Sequence, residues 1–463
     1  MADEQESQPT RITCGFYVKR KNRYCKMIVG KGKKYCGEHM HLSGEHGEDN
    51  RKRIPCPLDP KHSVYEDQLK NHLKRCNVKK KTDVVYYAKN INSGIVDYKP
   101  SSEEKIPLSS FPQDCISKVI HKLKKFFKDN NLEVMPHIMS HDAFKAEMSQ
   151  EGYGPSVHKH LKQQASLVGN MERLGLLQPD TVYLEFGAGK GKLSHWVQQA
   201  HPEGGNVEYV LIDRASNRYK FDSCHKRGDN GPDFKRVLLD IEHLNLGELP
   251  HLGDKARRIV AVSKHLCGTA TDLTLRCLLD TLHGYSATEP DSTLKSEQKD
   301  AKRRKLDAAG PSVIGIVVAL CCHHQCYWPH YVGRPFLESL GITPQEFHLL
   351  CCMSSWATCG MRPPQGSSKE AEHCNTDESD SQIVQDKCMS DSMDEGDTPP
   401  QTGYKGLGLS IADREEIGRQ CKRLLDAGRV WYLREKGFNT SLAYYVDSSV
   451  SLENVVLLAT ANT

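Results

Sequence analysis

The stretch Glu185-Phe186-Gly187-Ala188-Gly189-Lys190-Gly191 ends an apolar run that begins at Val182 and opens a segment carrying Leu193, Trp196 and Val197 at helical spacing. A strand, a glycine turn and a helix are therefore expected in succession, with the glycines letting backbone approach a ligand where a Cβ would intrude. Three ligand classes compete for such a turn. A phosphate-binding P-loop needs Gly, four residues, then Gly-Lys-Ser/Thr, and the residue five beyond Gly187 is Lys192, so that class is excluded. Dinucleotide sites read G-x-G-x-x-G. This turn reads G-x-G-x-G with Glu185 two residues before the first glycine, the pattern of S-adenosylmethionine sites, where a carboxylate near the first strand helps anchor the cationic methionine end.

The surrounding segments agree with that reading. Strands are expected at Val182 to Phe186, Val207 to Asp213, Arg236 to Leu239, Arg258 to Lys264 and Val313 to Leu320. Helical patterns, such as Leu273 to Leu279, lie between them, and this alternation predicts an α/β fold with a mainly parallel, doubly wound sheet. Asp213 ends the second strand, 22 residues past Gly191, where its carboxylate can accept both ribose hydroxyls of a nucleoside cofactor; Asp240 ends the third, near the expected adenine. The cofactor-binding set is thus Glu185, Gly187, Gly189, Gly191, Asp213 and Asp240. Upstream, His160 to Leu177 reads as a helix leading into the sheet. Downstream, a helix from Ser410 to Ala427 precedes three closing segments, Val430 to Leu433, Ser441 to Val446 and Asn454 to Ala459, expected as an antiparallel edge.

Chemistry in open parallel sheets sits beyond the carboxyl ends of the strands. Lys264-His265-Leu266-Cys267-Gly268, followed by Thr269-Ala270-Thr271-Asp272, occupies one such end, and Cys321, Cys322, His323, His324 and Cys326 occupy the next. Three histidines, His265, His323 and His324, are the catalytic candidates, with pocket lining as the competing role. Adjacent side chains on an extended chain point to opposite sides, so Cys321 and Cys322 are not expected to share one ion, and the cluster reads as an active-site edge.

The N-terminal region carries a different chemistry. Cys14, Cys25, Cys36 and His39 form C-x10-C-x10-C-x2-H, with His41 a rival for the last place; Cys56, His62, His72 and Cys76 form C-x5-H-x9-H-x3-C. His72 and Cys76 lie one helical turn apart and can face one ion. Thiolate and imidazole are the ligands of tetrahedral structural zinc, and segments this short and polar need one to fold. Residues 11 to 90 hold 20 Lys/Arg against 8 Asp/Glu, a basic footprint suited to phosphates that the whole-chain charge of +4 conceals.

Composition sets the boundaries: a CCCH-type module at 11–45, a CHHC-type finger at 53–80, a linker with helices at 81–159 and the catalytic domain at 160–463. In the third region Ile116, Val119, Ile120, Leu123, Phe126 and Phe127 form an apolar helical stripe opposite Lys118, Lys122, Lys124 and Lys125. Polar insertions at 286–312, with Lys302-Arg303-Arg304-Lys305 as a nuclear-import candidate, and at 365–402 read as mobile loops. No run approaches the roughly 18 apolar residues of a membrane span. The first ten residues are polar, without an export signal, so the 18 cysteines are expected as thiols in an intracellular protein of the nucleus, the cytoplasm or both.

The CHHC spacing resembles zinc fingers of spliceosomal and RNA-modifying proteins. Taken in order, the two zinc modules, Glu185 to Gly191, Lys264 to Gly268 and Cys321 to His324 resemble the tRNA 2′-O-methyltransferase family that modifies the fourth nucleotide of the acceptor stem. The likeness runs from Cys14 to the C-terminus outside the insertions. It implies a Rossmann-like class I methyltransferase fold, S-adenosylmethionine as donor and tRNA as acceptor; the ligand spacings add two structural zinc ions, the hydropathy gives no membrane span, and no obligate protein partner is evident. It leaves the general base open, because the Lys-Asp-Lys-Glu tetrad of many ribose methyltransferases cannot be assembled from these strand ends. Two other classes stay in play: a non-catalytic zinc-finger RNA-binding protein with a degenerate methyltransferase fold, and a nicotinamide-dependent oxidoreductase.

Overall fold

The computed structural model describes residues 12–18, 23–30, 32–36, 39–40, 53–76, 79, 82–95, 106–201, 206–215, 221, 233–250, 252, 257–281, 312–361 and 407–462. The insertion at 365–402, the Lys302–Lys305 run and all of the insertion at 286–312 except Ser312 lie outside these residues, as does His41. The chain divides between Val84 and Val85 into an N-terminal unit and a larger one.

In the N-terminal unit, β1 (Tyr17–Val18) pairs antiparallel with β2 (Arg23–Tyr24), and β3 (Arg53–Cys56) with β4 (Asp59–Tyr65). The helix Leu69–Arg75 follows and carries His72, with Cys76 directly after its last residue. The buried apolar residues are few: Cys14, Val29 and Cys36 in one cluster, Cys56, Val64 and Cys76 in the other. Cores this small do not hold a chain together without a further crosslink.

The larger unit is built on one eight-stranded sheet. Its strands are β5 (Met135–Pro136), β6 (Thr181–Phe186), β7 (Glu208–Ile212), β8 (Asp233–Val237), β9 (Arg258–Cys267), β10 (Ser312–Cys321), β11 (Phe438–Tyr444) and β12 (Val455–Ala461), in the spatial order β5-β11-β12-β10-β9-β6-β7-β8. From β8 through β10 all neighbours are parallel, whereas β12 runs antiparallel between β10 and β11. Every residue of β6 is buried, as expected of a central parallel strand covered on both faces. The period of two sorts them: Val182, Leu184 and Phe186 join Val210, Ile212, Ile259 and Ala261 on one face, and Tyr183 joins Tyr209, Leu211, Val260 and Val262 on the other.

Helices seal both faces. Leu161, Ala165, Val168 and Met171 of helix Pro155–Arg173 and Leu193, Trp196 and Val197 of helix Lys192–Ala200 cover the Tyr183 face. Leu273 and Leu275 of helix Thr269–Arg276, with Val430 and Leu433 of helix Ile411–Glu435, cover the opposite face. A third cluster joins Ile116, Val119, Ile120 and Leu123 of helix Gln113–Asp129 to Phe347 and Leu350 of helix Pro344–Ser354 and to Ile417 and Leu424. The apolar stripe predicted there is therefore a packing face, and Lys122 beside it donates to Glu346 at 2.7 Å.

Several expectations need correction. Val430 to Leu433 is not a strand: it lies inside Ile411–Glu435, a helix started by a reciprocal capping box between Ser410 and Asp413. The closing strands are two, and β12 slots inside the sheet. The third strand sits earlier than expected, at Asp233–Val237, because the chain leaves the sheet before Asp240. The helix expected at His160 to Leu177 runs Pro155–Arg173, and Leu273 to Leu279 splits into Thr269–Arg276 and a π turn at Cys277–Thr281. Residues 85–95, read as linker, pack on the catalytic unit: the buried Asn92 donates to the carbonyls of Ile241 and Leu244, and Ala88 N to His243 O. Among the described residues, no helix is long and apolar enough to cross a membrane.

Candidate active site and metal centres

The sheet reverses its winding between β6 and β9, and the carboxyl ends of the strands flanking that point carry the predicted residues. Gly187, Gly189 and Gly191 all have positive φ, of 66°, 52° and 81°. At Gly187 a Cβ would come within 2.9 Å of His265 O, so the turn can rest on the end of β9 only with glycine there. At Gly189 a Cβ would meet nothing within 4 Å, so this backbone borders open space, the cradle a ligand needs.

Asp213, the residue after β7, closes on that turn. Its Oδ2 accepts from Gly189 N at 2.7 Å and its Oδ1 from Ala215 N at 2.8 Å, while Arg236 donates to Gly189 O at 2.8 Å. Each carboxylate oxygen retains a lone pair for a further donor. Glu185 plays a different part from the one expected: its buried Oε2 accepts from Ser194 N at 2.9 Å and from Ser194 Oγ at 2.5 Å, tying β6 to the first turns of the next helix. Burial pushes its carboxyl up to about 7 against the pull of Ser194, Arg236 and Lys264. Asp240 caps the single turn Ile241–His243 by accepting from Glu242 N at 3.2 Å.

The three candidate histidines separate. His265 is exposed at the end of β9, His324 is half-buried, and His323 is sealed inside the fold. His323 Nε2 lies 2.7 Å from Asp426 Oδ1, and Asp426 also pairs with Arg423 at 2.9 Å and with Arg429 at 3.2 Å. Arg429 reaches Asp272 at 2.8 Å. Burial lowers the pKa of His323 more than Asp426 raises it, so the ring is neutral and donates to the carboxylate. His323 is thus a strut between the end of β10 and helix Ile411–Glu435, enclosed away from any substrate, which removes it from the catalytic candidates. Cys326 likewise turns inward, its Sγ accepting from Arg429 at 3.1 Å. Sequence reasoning missed Asp426, Arg429 and a half-buried pair, Lys264 Nζ and His160 Nδ1 at 2.9 Å. Burial, with help from the Lys264 charge, lowers the His160 pKa.

Both N-terminal ligand sets assemble. Cys14, Cys25, Cys36 and His39 converge with all ligand atoms within 4.8 Å of one another, as do Cys56, His62, His72 and Cys76. The edges match those of a tetrahedron around a small cation: Cys36 Sγ to His39 Nδ1 is 3.3 Å, Cys56 Sγ to Cys76 Sγ 3.9 Å, and His72 Nε2 to Cys56 Sγ 3.2 Å. Burial raises the Cys14 thiol, but amide donors at Cys36 and Phe16 and the His39 ring outweigh it and bring it down to about 7.

A Rossmann-like sheet, a glycine turn latched by a strand-end acid and two four-ligand modules define a methyltransferase with zinc fingers. Comparison with known proteins specifies the kind. Residues 162–460 match the family described as methyltransferase TRM13, residues 12–40 the CCCH zinc finger in TRM13 protein, and residues 53–77 a U11-48K-like CHHC zinc finger. The chain is 42% identical over 480 residues to the human tRNA:m(4)X modification enzyme TRM13 homolog, covering 98% of this chain and 95% of that one. The mouse homolog is 41% identical, with 96% and 94% covered. The tRNA:m(4)X modification enzyme TRM13 of Saccharomyces cerevisiae is 31% identical, with 97% and 96% covered. The chain belongs to the TRM13 methyltransferase family, which sets aside the oxidoreductase reading.

Proposed function

We propose that the protein is an S-adenosylmethionine-dependent tRNA methyltransferase that methylates the ribose 2′-hydroxyl of nucleotide 4 in the acceptor stem. The carrying observation is the latch between Asp213 and the open turn at Gly189, on the same sheet edge as the ends of β9 and β10. The names of the relatives, tRNA:m(4)X modification enzymes, support tRNA as substrate.

Gly187, Gly189 and Gly191 would take the cofactor against bare backbone, and Asp213 would accept its ribose hydroxyls. When bound, S-adenosylmethionine supplies an electrophilic methyl group on a sulfonium. The chain's own work is to hold the 2′-hydroxyl in line, which is chiefly positioning, and to receive its proton. Of the imidazoles at this edge, His265 and His324 have access to solvent and are the proton acceptors this reading admits. An A-form stem exposes its 2′-hydroxyls in a shallow minor groove, so shape and phosphate contacts carry recognition, a task suited to the basic fingers. Transfer of labelled methyl to total tRNA, followed by mapping of the modified nucleotide, tests the reading: label at the ribose of nucleotide 4 is expected, and label on a base or at another position overturns it.

A further inference from the structure

A third group of metal ligands lies at the catalytic edge itself. Cys267 and Cys321 are register partners at the tips of β9 and β10, and the His265 ring sits between them, Nε2 3.5 Å from Cys267 Sγ and Nδ1 3.6 Å from Cys321 Sγ. One ligand atom from each of these three residues lies within 4.8 Å of the others, the same closeness seen in both fingers. Cys322, the next residue, has a left-handed backbone, with φ of 51° and ψ of 40°, and is not one of the three whose ligand atoms meet.

We propose that His265, Cys267 and Cys321 bind a third zinc ion. Two thiolates and an imidazole are ligands that zinc prefers, and solvent takes the fourth tetrahedral position. The exposed His265 and the half-buried Cys267 give the ion a way in. Bound there, it clamps the tips of β9 and β10 next to the glycine turn, whose Gly187 rests on His265 O. It also withdraws His265 from proton transfer and leaves His324 as the acceptor. The site stands on these three residues whatever the enzyme's substrate.

Metal analysis of the full chain, purified without chelator, tests this. Three zinc equivalents per chain are expected, falling to two in the Cys267→Ser variant while both fingers stay loaded. If that variant fails to fold by circular dichroism, the exposed His265→Ala serves instead: one equivalent of its three should pass to a weak chelator at least about tenfold faster than from the parent. Two equivalents in the parental chain overturn the proposal. So does a disulfide among Cys267, Cys321 and Cys322 in the freshly purified protein, or equal release rates from parent and His265→Ala.

Discussion

His323 Nε2 and Asp426 Oδ1 meet at 2.7 Å with both side chains fully enclosed, joining residues 103 apart in the chain. Burial pushes the Asp426 carboxyl up, but the hydrogen bond from His323 and the charges of Arg423 and Arg429 outweigh it and hold the carboxyl well below the usual carboxylate range. Removing the neutral His323 ring takes a donor from a buried carboxylate that both arginines still compensate, a loss of about 1 to 3 kcal/mol. His323→Ala is accordingly expected to lower unfolding free energy by about that amount while the folded fraction keeps its methyl-transfer rate. Denaturant titration beside single-turnover transfer checks both halves; a stable but inactive variant would return His323 to the active site.

The titration of Glu185 gives a signed pH effect. Its folded pKa, about 7, stands above its ordinary value near 4.5, so the folded state holds the proton more tightly. That contribution to stability is fully present below about 4.5 and is lost as pH rises through about 7. Glu185→Gln keeps an acceptor for Ser194 and abolishes the titration. The parent's melting temperature should fall relative to that of the variant between about pH 5 and pH 8, and a constant difference across that range would refute the assignment.

The fingers are expected to depend on metal for their structure. Their buried apolar sets, Cys14, Val29 and Cys36 in one and Cys56, Val64 and Cys76 in the other, consist largely of the ligands themselves. A fragment ending at Val84 should carry two zinc equivalents and lose its dispersed amide NMR spectrum on chelation. Retention of that spectrum in the metal-free fragment would mean that the core alone suffices.

Local marks and long-range contacts account for what the sequence did and did not disclose. Glu185 to Gly191 was legible because a fully buried strand reads as a continuous apolar run and a left-handed turn demands glycine. Both zinc sets were legible because their ligands are close in sequence. Val430 to Leu433 misled because β-branched and aromatic residues suit strands, yet Val430 and Leu433 supply the apolar stripe of a helix already running from Ser410. The partnership of His323 with Asp426, and of Cys267 with Cys321, forms only when distant segments meet. No pattern in one chain encodes the left-handed φ at Cys322, while the ligand group that holds Cys321 leaves Cys322 out, as expected of adjacent residues.

Recognition of tRNA should rest on the N-terminal unit, since residues 11 to 90 hold 20 Lys/Arg against 8 Asp/Glu. The boundary matters: the buried Asn92 and its partners belong to the catalytic unit, so a truncation must begin no later than Val85. A chain starting there is expected to keep its affinity for S-adenosylmethionine, to lose most of its affinity for tRNA, and to show a shallower dependence of binding on salt. Equal tRNA affinity and equal salt slope in both forms would move recognition to the catalytic unit.

Inside the catalytic unit, holding the cofactor and receiving the proton should fall to different residues. Asp213 latches Gly189 and, in the proposed reading, would offer its remaining lone pairs to the ribose hydroxyls; a hydrogen bond to a charged group contributes about 1.5 to 3 kcal/mol. Asp213→Ala should therefore weaken S-adenosylmethionine binding by at least about tenfold in calorimetric titration, with Asp213→Asn intermediate because it keeps an acceptor for Gly189 N. His324→Ala should leave both cofactor and tRNA affinity close to parental and lower single-turnover transfer by about 10² to 10⁴, because a general base acts in the transition state. The two variants thus separate on a plot of affinity against rate. If His324→Ala transfers methyl at the parental rate, no imidazole at this edge acts as base once His265 is held by metal, and water takes the proton from a hydroxyl activated by positioning alone.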